Sequence, residues 1–470
     1  MKSFYVTTPI YYANDKPHVG HAYTTLAADV IARYWRQKLD KDNVFFLTGT
    51  DEHGQKIAEV AEKAGLTPND LVDSLAPRFE ERWQALNVSN DIFMRTTDPK
   101  HRTFAQEFLG ELHTSGAIYK GEYSGLYCVG CEEYKVEMQL ADGKCPLHPN
   151  LTPETRKEEN YFFKFKEYAS RVRERISSGE LQVLPIERKN EVLARLDGEL
   201  HDLSVSRPGV SWGIPVPWDE THTMYVWVEA LLNYLSALEI VGKPQLWPAN
   251  VQVMGKDILW FHAAIWPALL LASGRELPKI VFAHGFFTID GQKMSKTLGN
   301  VIDPNELVAT YGADATRYLL LSAVPFGADG DLAASRFAEV YQSDLANGLG
   351  NLLNRTVTLI KRSELQIEPG SGVSCADADQ AIDELRLDEG LKAIWAIIRD
   401  ANKRLEEAKP WELIKESSQR EQLESVLTTA YRQLETIAAG LAPYLPATSN
   451  KIIEQLRSGT AKPVFPRIEQ

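Results

Sequence analysis

Two polar elements, far apart in the chain, have residue types suited to nucleotide chemistry. The first is Pro17-His18-Val19-Gly20-His21, between a predicted strand and a predicted helix. At a helix N-terminus the free backbone N–H groups and the helix dipole favour phosphate, and Gly20 lets a purine or ribose approach the backbone closely. Considered alone, the two histidines are explained equally well as an accidental helix start.

The second element is the polar loop Gly291-Gln292-Lys293-Met294-Ser295-Lys296-Thr297, which follows a strand-like segment. Two ammonium groups on a flexible loop can follow the negative charge that develops on a departing pyrophosphate. A solvated lysine loop is the simpler explanation for an isolated pair of this kind. The presence of both elements in one chain favours the nucleotide-binding interpretation.

A third cluster has the composition and spacing of a metal site, and its members are Cys128, Cys131, Cys145 and His148. Two close pairs of such ligands predict one tetrahedral Zn²⁺ site, closed by four protein groups and therefore structural. The alternative is three buried thiols and a surface histidine, which the turn-forming Gly130 and Pro146 disfavour. Cys375 is distant in the sequence, and we expect it to be a spare thiol.

The elements that must position these residues alternate between strands and helices. Residues 3–8 predict a first strand, and apolar residues at helical spacing after Gly20 predict a helix. Further strands are predicted at Val44 to Leu47, Val251 to Met254 and Ile280 to Phe282. This alternation predicts an α/β domain with a Rossmann-like parallel sheet, whose ligands bind beyond the carboxyl ends of the strands. Because no GxGxxG follows the first strand, a dinucleotide oxidoreductase is disfavoured.

Changes in composition along the chain predict its domains. Residues 1–115 and 219–340 are expected to form the two halves of the catalytic domain, and the aromatic-rich range 116–218 is expected to be an inserted domain with the zinc knuckle. Residues 341–470 predict an all-α C-terminal domain, because apolar residues recur at helical spacing between Gly and Pro breakers. Its predicted helices include Leu345 to Lys361, Leu385 to Ala408 and Leu423 to Leu441.

The overall composition is that of a soluble globular protein, with 44% apolar and 24% charged residues. The N-terminus lacks the pattern of a secretory signal, and the most apolar stretch, Ile258 to Ala272, is interrupted by His262 and Pro267. We therefore expect a cytoplasmic protein without membrane contact. The formal net charge of −13 repels polyanions, so a nucleic-acid partner has to meet local basic patches.

The HxGH and KMSK elements resemble the paired signatures of class I aminoacyl-tRNA synthetases. Further blocks narrow the resemblance to methionyl-tRNA synthetases of the bacterial type with a single zinc knuckle. These blocks are Thr8-Pro9-Ile10-Tyr11-Tyr12-Ala13-Asn14, Gly49-Thr50-Asp51-Glu52-His53-Gly54, Tyr225-Val226-Trp227, Gly255-Lys256-Asp257-Ile258, Phe261-His262 and Lys409-Pro410-Trp411. They extend over most of the chain, and chance agreement of so many ordered blocks is negligible.

The resemblance implies a ligase that activates methionine with ATP and Mg²⁺, releases pyrophosphate and transfers methionine to the 3′ end of tRNA(Met), including the initiator. It implies that the catalytic residues His18, His21, Lys293 and Lys296 bind ATP together with Gly20, and that Asp51 holds the methionine ammonium. The implied side-chain pocket consists of Ile10, Tyr12, Val226, Trp227, Ala230, Tyr234, His262 and Trp266. Without the resemblance, core packing would be the preferred explanation for Trp227 and Trp266.

In the helical domain the resemblance implies recognition of the CAU anticodon. Trp411, which follows Pro410, is expected to stack on an unstacked base of the anticodon loop. Asn347, Asn351 and Arg355 share a helical face at spacing four and can read base edges, although polar capping of a bundle face explains these three nearly as well. Because the chain ends soon after this domain, we expect a monomer.

Two other classes of protein fit the sequence less well. A class I ligase for leucine, isoleucine or valine carries a much larger editing insertion, for which residues 116–218 leave no room. A non-catalytic tRNA-binding relative would not need the two histidines and two loop lysines. Val19, Thr297 and Glu229 depart from the isoleucine, serine and aspartate that are commoner in the family, and no role is expected for Glu229.

Overall fold

The computed structural model of the chain describes residues 2–131, 133–135, 140–146, 148–294 and 299–468. Lys296 in the predicted phosphate loop lies outside the described residues, and only the backbone of Lys293 is described. Among the described helices, none is both long enough and apolar enough to cross a membrane.

The chain forms two compact units, each assembled from several segments. The first unit consists of residues 1–17, 42–81 and 90–284. The second unit consists of residues 18–41, 82–89 and 285–470.

The strands are short and are distributed over the first three quarters of the sequence. They are β1 Phe4–Tyr12, β2 Val44–Asp51, β3 Ile92–Arg95, β4 Ile118–Cys128, β5 Glu133–Lys135, β6 Glu154–Phe163, β7 Gln182–Leu184, β8 Leu203–Ser204, β9 Ser206–Pro208, β10 Pro215–Val216, β11 Asp219–Met224, β12 Val251–Gly255, β13 Ile280–His284, β14 Phe287–Ile289, β15 Gln292–Lys293 and β16 Gly330–Asp331.

The helices become dominant toward the C-terminus. They are α1 Val19–Lys38, α2 Gln55–Ala64, α3 Pro68–Ala85, α4 Pro99–Thr114, α5 Phe165–Ser178, α6 Ile186–Leu196, α7 Val226–Leu231, α8 Asn233–Ile240, α9 Trp266–Ala272, α10 Pro304–Tyr311, α11 Ala313–Ser322, α12 Phe337–Val340, α13 Asn351–Arg362, α14 Ala376–Asp383, α15 Leu387–Ala408, α16 Pro410–Leu413, α17 Arg420–Leu441 and α18 Pro446–Ser458. Two π-helical segments, Phe261–Ile265 and Tyr341–Gly350, precede α9 and α13.

Six strands of the first unit form a parallel sheet in the order β3-β2-β1-β12-β13-β7. The predicted parallel sheet is confirmed, and the four predicted strands correspond to β1, β2, β12 and β13. The register of β1 against β2 pairs Tyr12 with Asp51 at the carboxyl end of both strands. A Cβ atom on Gly49 would lie 2.1 Å from the Met94 carbonyl oxygen, so only glycine permits this close approach of β2 to β3.

The strands in the range 116–218 belong to three different sheets. Strands β5, β4, β6 and β8 form a separate antiparallel sheet, and β9 and β10 flank β11 in another small sheet. Strand β7, in contrast, pairs in parallel with β13 and is the edge strand of the central sheet. This segment of the predicted insertion therefore contributes directly to the central parallel sheet.

In the second unit a buried ion pair fixes α1 to the C-terminal helices. The Arg317 guanidinium on α11 lies 2.7 Å from the Asp29 carboxylate on α1, and both side chains are fully buried. Arg317 also donates to the backbone carbonyl oxygens of Leu86 and Pro443, at 3.2 and 3.1 Å. Burial raises the pKa of Asp29, but the positive charges of Arg317 and Arg33 lower it by more. The pKa of Asp29 therefore lies below its ordinary value. Because an unpaired buried charge is costly, this network holds α1 in one position.

The three predicted C-terminal helices are present with shifted bounds. The prediction over Leu345 to Lys361 corresponds to the π-helix Tyr341–Gly350 followed by α13. The other two correspond to α15 and α17. A π-helix has i→i+5 hydrogen bonds, and the apolar spacing in the sequence did not indicate it.

Candidate active site and metal centre

The HxGH element forms the start of α1, where its two imidazoles take part in helix capping. His18 is the N-cap residue, and its Nδ1 accepts a hydrogen bond from the Gly20 backbone N–H at 3.1 Å. The Nδ1 atom of His21 accepts from the His18 backbone N–H at 3.3 Å. Because each Nδ1 is an acceptor, the proton of each neutral ring lies on Nε2.

The two rings stack on each other and are held neutral. Their centroids are 3.8 Å apart. Burial lowers the pKa of His18 to about 4, and burial together with the neighbouring His18 lowers the pKa of His21 well below its usual value. Two neutral Nε2–H donors at a helix N-terminus are suited to contact phosphate oxygens.

The low pKa of His18 predicts an acid-dependent loss of stability. The unfolded chain binds a proton at His18 near pH 6.5, whereas the folded chain does so only near pH 4, so the free energy of unfolding falls as the pH drops through this window. His18→Asn keeps a cap acceptor but removes this titration. When the free energy of unfolding is measured by urea denaturation, we expect it to fall by up to about 2 kcal/mol more in the wild type than in the variant between roughly pH 7 and pH 5. Equal losses would contradict the assignment of a neutral ring at His18.

The lysine loop adjoins the HxGH element within the second unit. The Val19 backbone N–H donates to the carbonyl oxygen of Ile302 at 3.1 Å, just beyond the loop. A Cβ atom on Gly20 would lie 3.5 Å from Met294 Cε and 3.0 Å from the His18 ring. The lack of a side chain at Gly20 therefore leaves room for both neighbours. Residues 18–21 and Met294 of the loop thus lie side by side, and the backbone of Lys293 is held in β15 against Thr288.

The residues predicted for methionine binding lie together in the first unit. Their side chains belong to one hydrophobic cluster or pack against it: Ile10, Tyr12, Val226, Trp227, Tyr234 and Trp266. Asp51 is nearly buried at the end of β2, and Ala230 and His262 are also buried. Trp227 is half-buried and stacks on Phe261 with ring centroids 4.3 Å apart. Trp266 is fully buried, which agrees with the core-packing alternative for this residue.

The side chains of Tyr234 and His262, both in this group, are hydrogen-bonded to each other. Tyr234 Oη lies 2.7 Å from His262 Nε2, and His262 Nδ1 lies 3.0 Å from the Ile258 carbonyl oxygen. The ring therefore donates through Nδ1 and accepts from the Tyr234 hydroxyl through Nε2. Burial lowers the pKa of His262 to about 4, so this arrangement is uncharged near neutral pH.

Several buried polar residues at this site were not assigned from the sequence. Glu52, next to Asp51, is paired with Arg95 at 2.7 Å, and its backbone carbonyl accepts from Trp212 Nε1 at 2.6 Å. Glu229, for which no role was expected, lies within hydrogen-bond distance of His53 and His101. His53 lies in the block from Gly49 to Gly54, but no sequence pattern connects it to Glu229 or His101.

The predicted metal ligands converge on one point. The ligand atoms of Cys128, Cys131, Cys145 and His148 all lie within 4.8 Å of one another. Cys131 Sγ is 3.5 Å from Cys145 Sγ and 3.3 Å from His148 Nδ1. A Cβ atom on Gly130 would lie 2.5 Å from the His148 ring, so glycine is required for the turn that closes the cluster. This Cys₃His arrangement can hold a metal ion.

The residues predicted to read the anticodon lie in the second unit, but they are not equally exposed. Asn347 and Asn351 are exposed, whereas Arg355 and Trp411 are half-buried. The Arg355 guanidinium lies 4.6 Å from the Trp411 ring centroid and donates to Glu406 at 3.0 Å. Trp411 also packs against an apolar cluster that includes Leu413. Arg355 and Trp411 are therefore in direct contact.

The fold and the two signature elements define a class of enzyme. Residues 4–151 and 136–357 match the model of the family described as tRNA synthetases class I (M). The parallel sheet, the histidines that cap α1 and the adjoining lysine loop are the features expected of a class I aminoacyl-tRNA synthetase.

Individual relatives specify the amino acid. The methionine–tRNA ligase of Nostoc sp. is 43% identical over 97% of this chain and 90% of its own length. That of Caldanaerobacter subterraneus is 42% identical over 97% of this chain and 74% of its own length. The structure of Mycobacterium tuberculosis methionyl-tRNA synthetase in complex with methionyl-adenylate matches with a TM-score of 0.88 at 35% identity, covering 100% of this chain and 99% of that one. The chain belongs to the methionine–tRNA ligase family, whose members activate L-methionine with ATP and attach it to tRNA.

Proposed function

We propose that this chain forms methionyl-adenylate and charges tRNA(Met) with the residues assigned from its sequence motifs. The observation that carries the proposal is the contact region in the second unit, where the neutral His18 and His21 pair adjoins the loop that contains Met294. A pair of imidazole donors beside a lysine-bearing loop is suited to the phosphates of ATP.

In the proposed reaction the methionine carboxylate attacks the α-phosphorus of ATP and pyrophosphate leaves. His18 and His21 donate hydrogen bonds to ATP, Gly20 leaves room for the nucleotide, and Lys293 and Lys296 stabilise the charge on the departing pyrophosphate. Mg²⁺ bound with ATP would supply further charge neutralisation. A ribose hydroxyl of the tRNA then attacks the adenylate carbonyl. Positioning and charge stabilisation supply most of the acceleration.

The amino acid would be held by groups of the first unit. Asp51 accepts charge-assisted hydrogen bonds from the methionine ammonium. The apolar side chains around Trp227 and Tyr234 hold the thioether, since aromatic rings make favourable contacts with a polarizable sulfur. The uncharged Tyr234–His262 pair keeps this pocket suited to an apolar side chain.

The Cys₃His cluster is proposed to bind one structural Zn²⁺. In a tetrahedron with metal–ligand distances of about 2.0–2.3 Å, the ligand atoms lie roughly 3.3–3.8 Å apart. The separations of 3.3, 3.5 and 3.9 Å between pairs of these ligand atoms are close to that range. Burial also raises the pKa of the Cys131 thiol, so a cation is needed to hold the thiolate form.

Metal analysis of the purified protein should return one zinc per chain. His148→Ala is expected to loosen the metal and to destabilise the surrounding sheet of β4, β5 and β6, because folding of such a site is coupled to binding. Cys375→Ser is the matched control, since this thiol lies outside the cluster, and it should retain the full equivalent. A content of no zinc, or of two equivalents, would rule out the single-knuckle assignment.

The remaining assignments concern the tRNA and the domains. We propose that residues 341–470 bind the anticodon of tRNA(Met), the initiator included, through Trp411, Arg355, Asn347 and Asn351. Residues 1–115 and 219–340 would form the catalytic domain, to whose sheet β7 adds an edge strand, and 116–218 would otherwise form the connective domain. The chain would act as a monomer.

The test of the proposed function is ATP–pyrophosphate exchange with each of the twenty amino acids. Methionine alone is expected to support rapid exchange, and addition of tRNA(Met) should give stable methionyl-tRNA. Exchange supported best by another amino acid, or no exchange at all, would refute the proposal.

A further inference from the structure

A buried carboxylate in the first unit bridges two histidines that come from different parts of the chain. Glu229 Oε1 lies 2.8 Å from His53 Nδ1, and Glu229 Oε2 lies 3.0 Å from His101 Nε2. The three side chains are at most 3% exposed. Each carboxylate oxygen therefore has its own imidazole partner in a site closed to solvent.

Each histidine also has a hydroxyl neighbour. His101 Nδ1 lies 2.7 Å from Ser236 Oγ, and His53 Nδ1 lies 3.3 Å from Thr96 Oγ1. The same Thr96 hydroxyl accepts from the Glu52 backbone N–H at 2.9 Å. Hydrogen bonds thus continue from the carboxylate to the backbone of the residue that follows Asp51.

An ionised carboxylate in such a place is costly unless it is hydrogen-bonded. Burial raises the pKa of Glu229, but His53 and His101 lower it by more, so its pKa lies below the ordinary value. The group is therefore an anion that accepts from two imidazole N–H groups. A residue that only filled space at this position would not need a negatively charged side chain.

The elements joined by the bridge are those that carry the methionine-binding residues. His53 is two residues beyond Asp51, the last residue of β2, and Glu229 lies on α7 between Trp227 and Ala230. His101 lies in the first turn of α4. The carboxylate therefore ties the ammonium-binding end of β2 and the pocket-lining helix α7 to a third, rigid helix.

We propose that the His53–Glu229–His101 bridge is a positioning device for methionine, which sets the distance between the group that binds the ammonium and the wall that binds the side chain. The inference rests on the proposed function, since it assigns Asp51 and Trp227 to the amino acid. It also gives a reason for the longer side chain of Glu229. An aspartate at the same backbone position would be about 1.5 Å shorter, and at least one of the two bonds would then exceed hydrogen-bond length.

The experiment compares Glu229→Gln with wild type in methionine-dependent pyrophosphate exchange, with methionine and ATP varied in turn. The amide keeps the length of the side chain but loses the charge and one acceptor. We expect the KM for methionine to rise by about tenfold, while kcat at saturating methionine and the KM for ATP change by less than about twofold. Glu229→Asp should show an effect of the same kind, and it serves as the test if the amide variant does not fold.

His222→Gln is the matched control. His222 is also a buried histidine of the first unit, with its Nδ1 3.1 Å from Ser206 Oγ, and its replacement should leave the KM for methionine unchanged. The inference is overturned if Glu229→Gln has the wild-type KM for methionine, if all three kinetic constants change alike, or if His222→Gln gives the same rise. A wild-type protein that does not exchange pyrophosphate with methionine would instead refute the proposed function.

Discussion

Replacement of Lys296 by alanine is expected to slow methionyl-adenylate formation by about a hundredfold, with little change in the affinity for methionine. The reason is that the negative charge on the leaving pyrophosphate develops in the transition state, so the ammonium group contributes mainly there. The side chain lies outside the described residues, but its loop neighbour Met294 adjoins Gly20 in the HxGH element. The described residue Met294 of the loop therefore lies beside the histidines that are proposed to contact the phosphates.

Single-turnover formation of the adenylate separates this effect from binding. Lys296→Arg keeps the positive charge and should recover part of the rate. Lys63→Ala removes an exposed lysine on α2 and should leave the rate unchanged. If Lys296→Ala instead abolished methionine binding while the activation rate survived, the transition-state role would be wrong.

The parts of the fold that were predicted correctly depend on local sequence patterns. Buried parallel strands are continuous apolar runs, and this is why β1, β2, β12 and β13 could be recognised. The cluster of Cys128, Cys131, Cys145 and His148 was predicted because its ligands are close in the sequence and their spacing is typical of a metal site. Short strands have no comparable pattern. Strand β7 has three residues and is held in the central sheet by its pairing with β13.

The polar network around Glu229 could not be predicted for a different reason. His53 is 176 residues from Glu229 in the sequence, and His101 is 128 residues from it. Their contact results from the arrangement of α4, α7 and the end of β2, which no local pattern specifies. The sequence showed only that glutamate replaces a commoner aspartate at this position.

The candidate anticodon surface was predicted only in part from the sequence. The spacing of Asn347, Asn351 and Arg355 predicted a common face, but residues up to Gly350 form a π-helix. Trp411 was predicted to stack on an anticodon base, and its ring is half-buried, with the Arg355 guanidinium 4.6 Å from its centroid. Lys409 adopts a left-handed conformation with φ of 47°, and Pro410 then begins α16. This turn fixes the backbone that presents the indole.

Truncation of this indole is expected to separate tRNA charging from methionine activation. If an anticodon base stacks on Trp411, then Trp411→Ala loses about 1–3 kcal/mol, which is a tenfold to hundredfold loss in kcat/KM for tRNA. Pyrophosphate exchange without tRNA should be unaffected, because Trp411 is not among the residues proposed to bind ATP or methionine. Both activities are measured on the same preparation, so a loss of folded protein would lower them together.

Two variants distinguish base stacking from a packing role for this tryptophan. Trp411→Phe keeps an aromatic face for the base and should retain more aminoacylation than the alanine variant. Trp35→Ala is the matched control, since Trp35 is another half-buried tryptophan of the second unit, near the C-terminal end of α1, and its loss should not affect the kcat/KM for tRNA. Because Trp411 also contacts the apolar cluster around Leu413, a packing role predicts a lower unfolding temperature and a parallel loss of both activities. Normal aminoacylation by Trp411→Ala, or a parallel loss of exchange and aminoacylation, would mean that Trp411 is a core residue and that the anticodon is bound elsewhere.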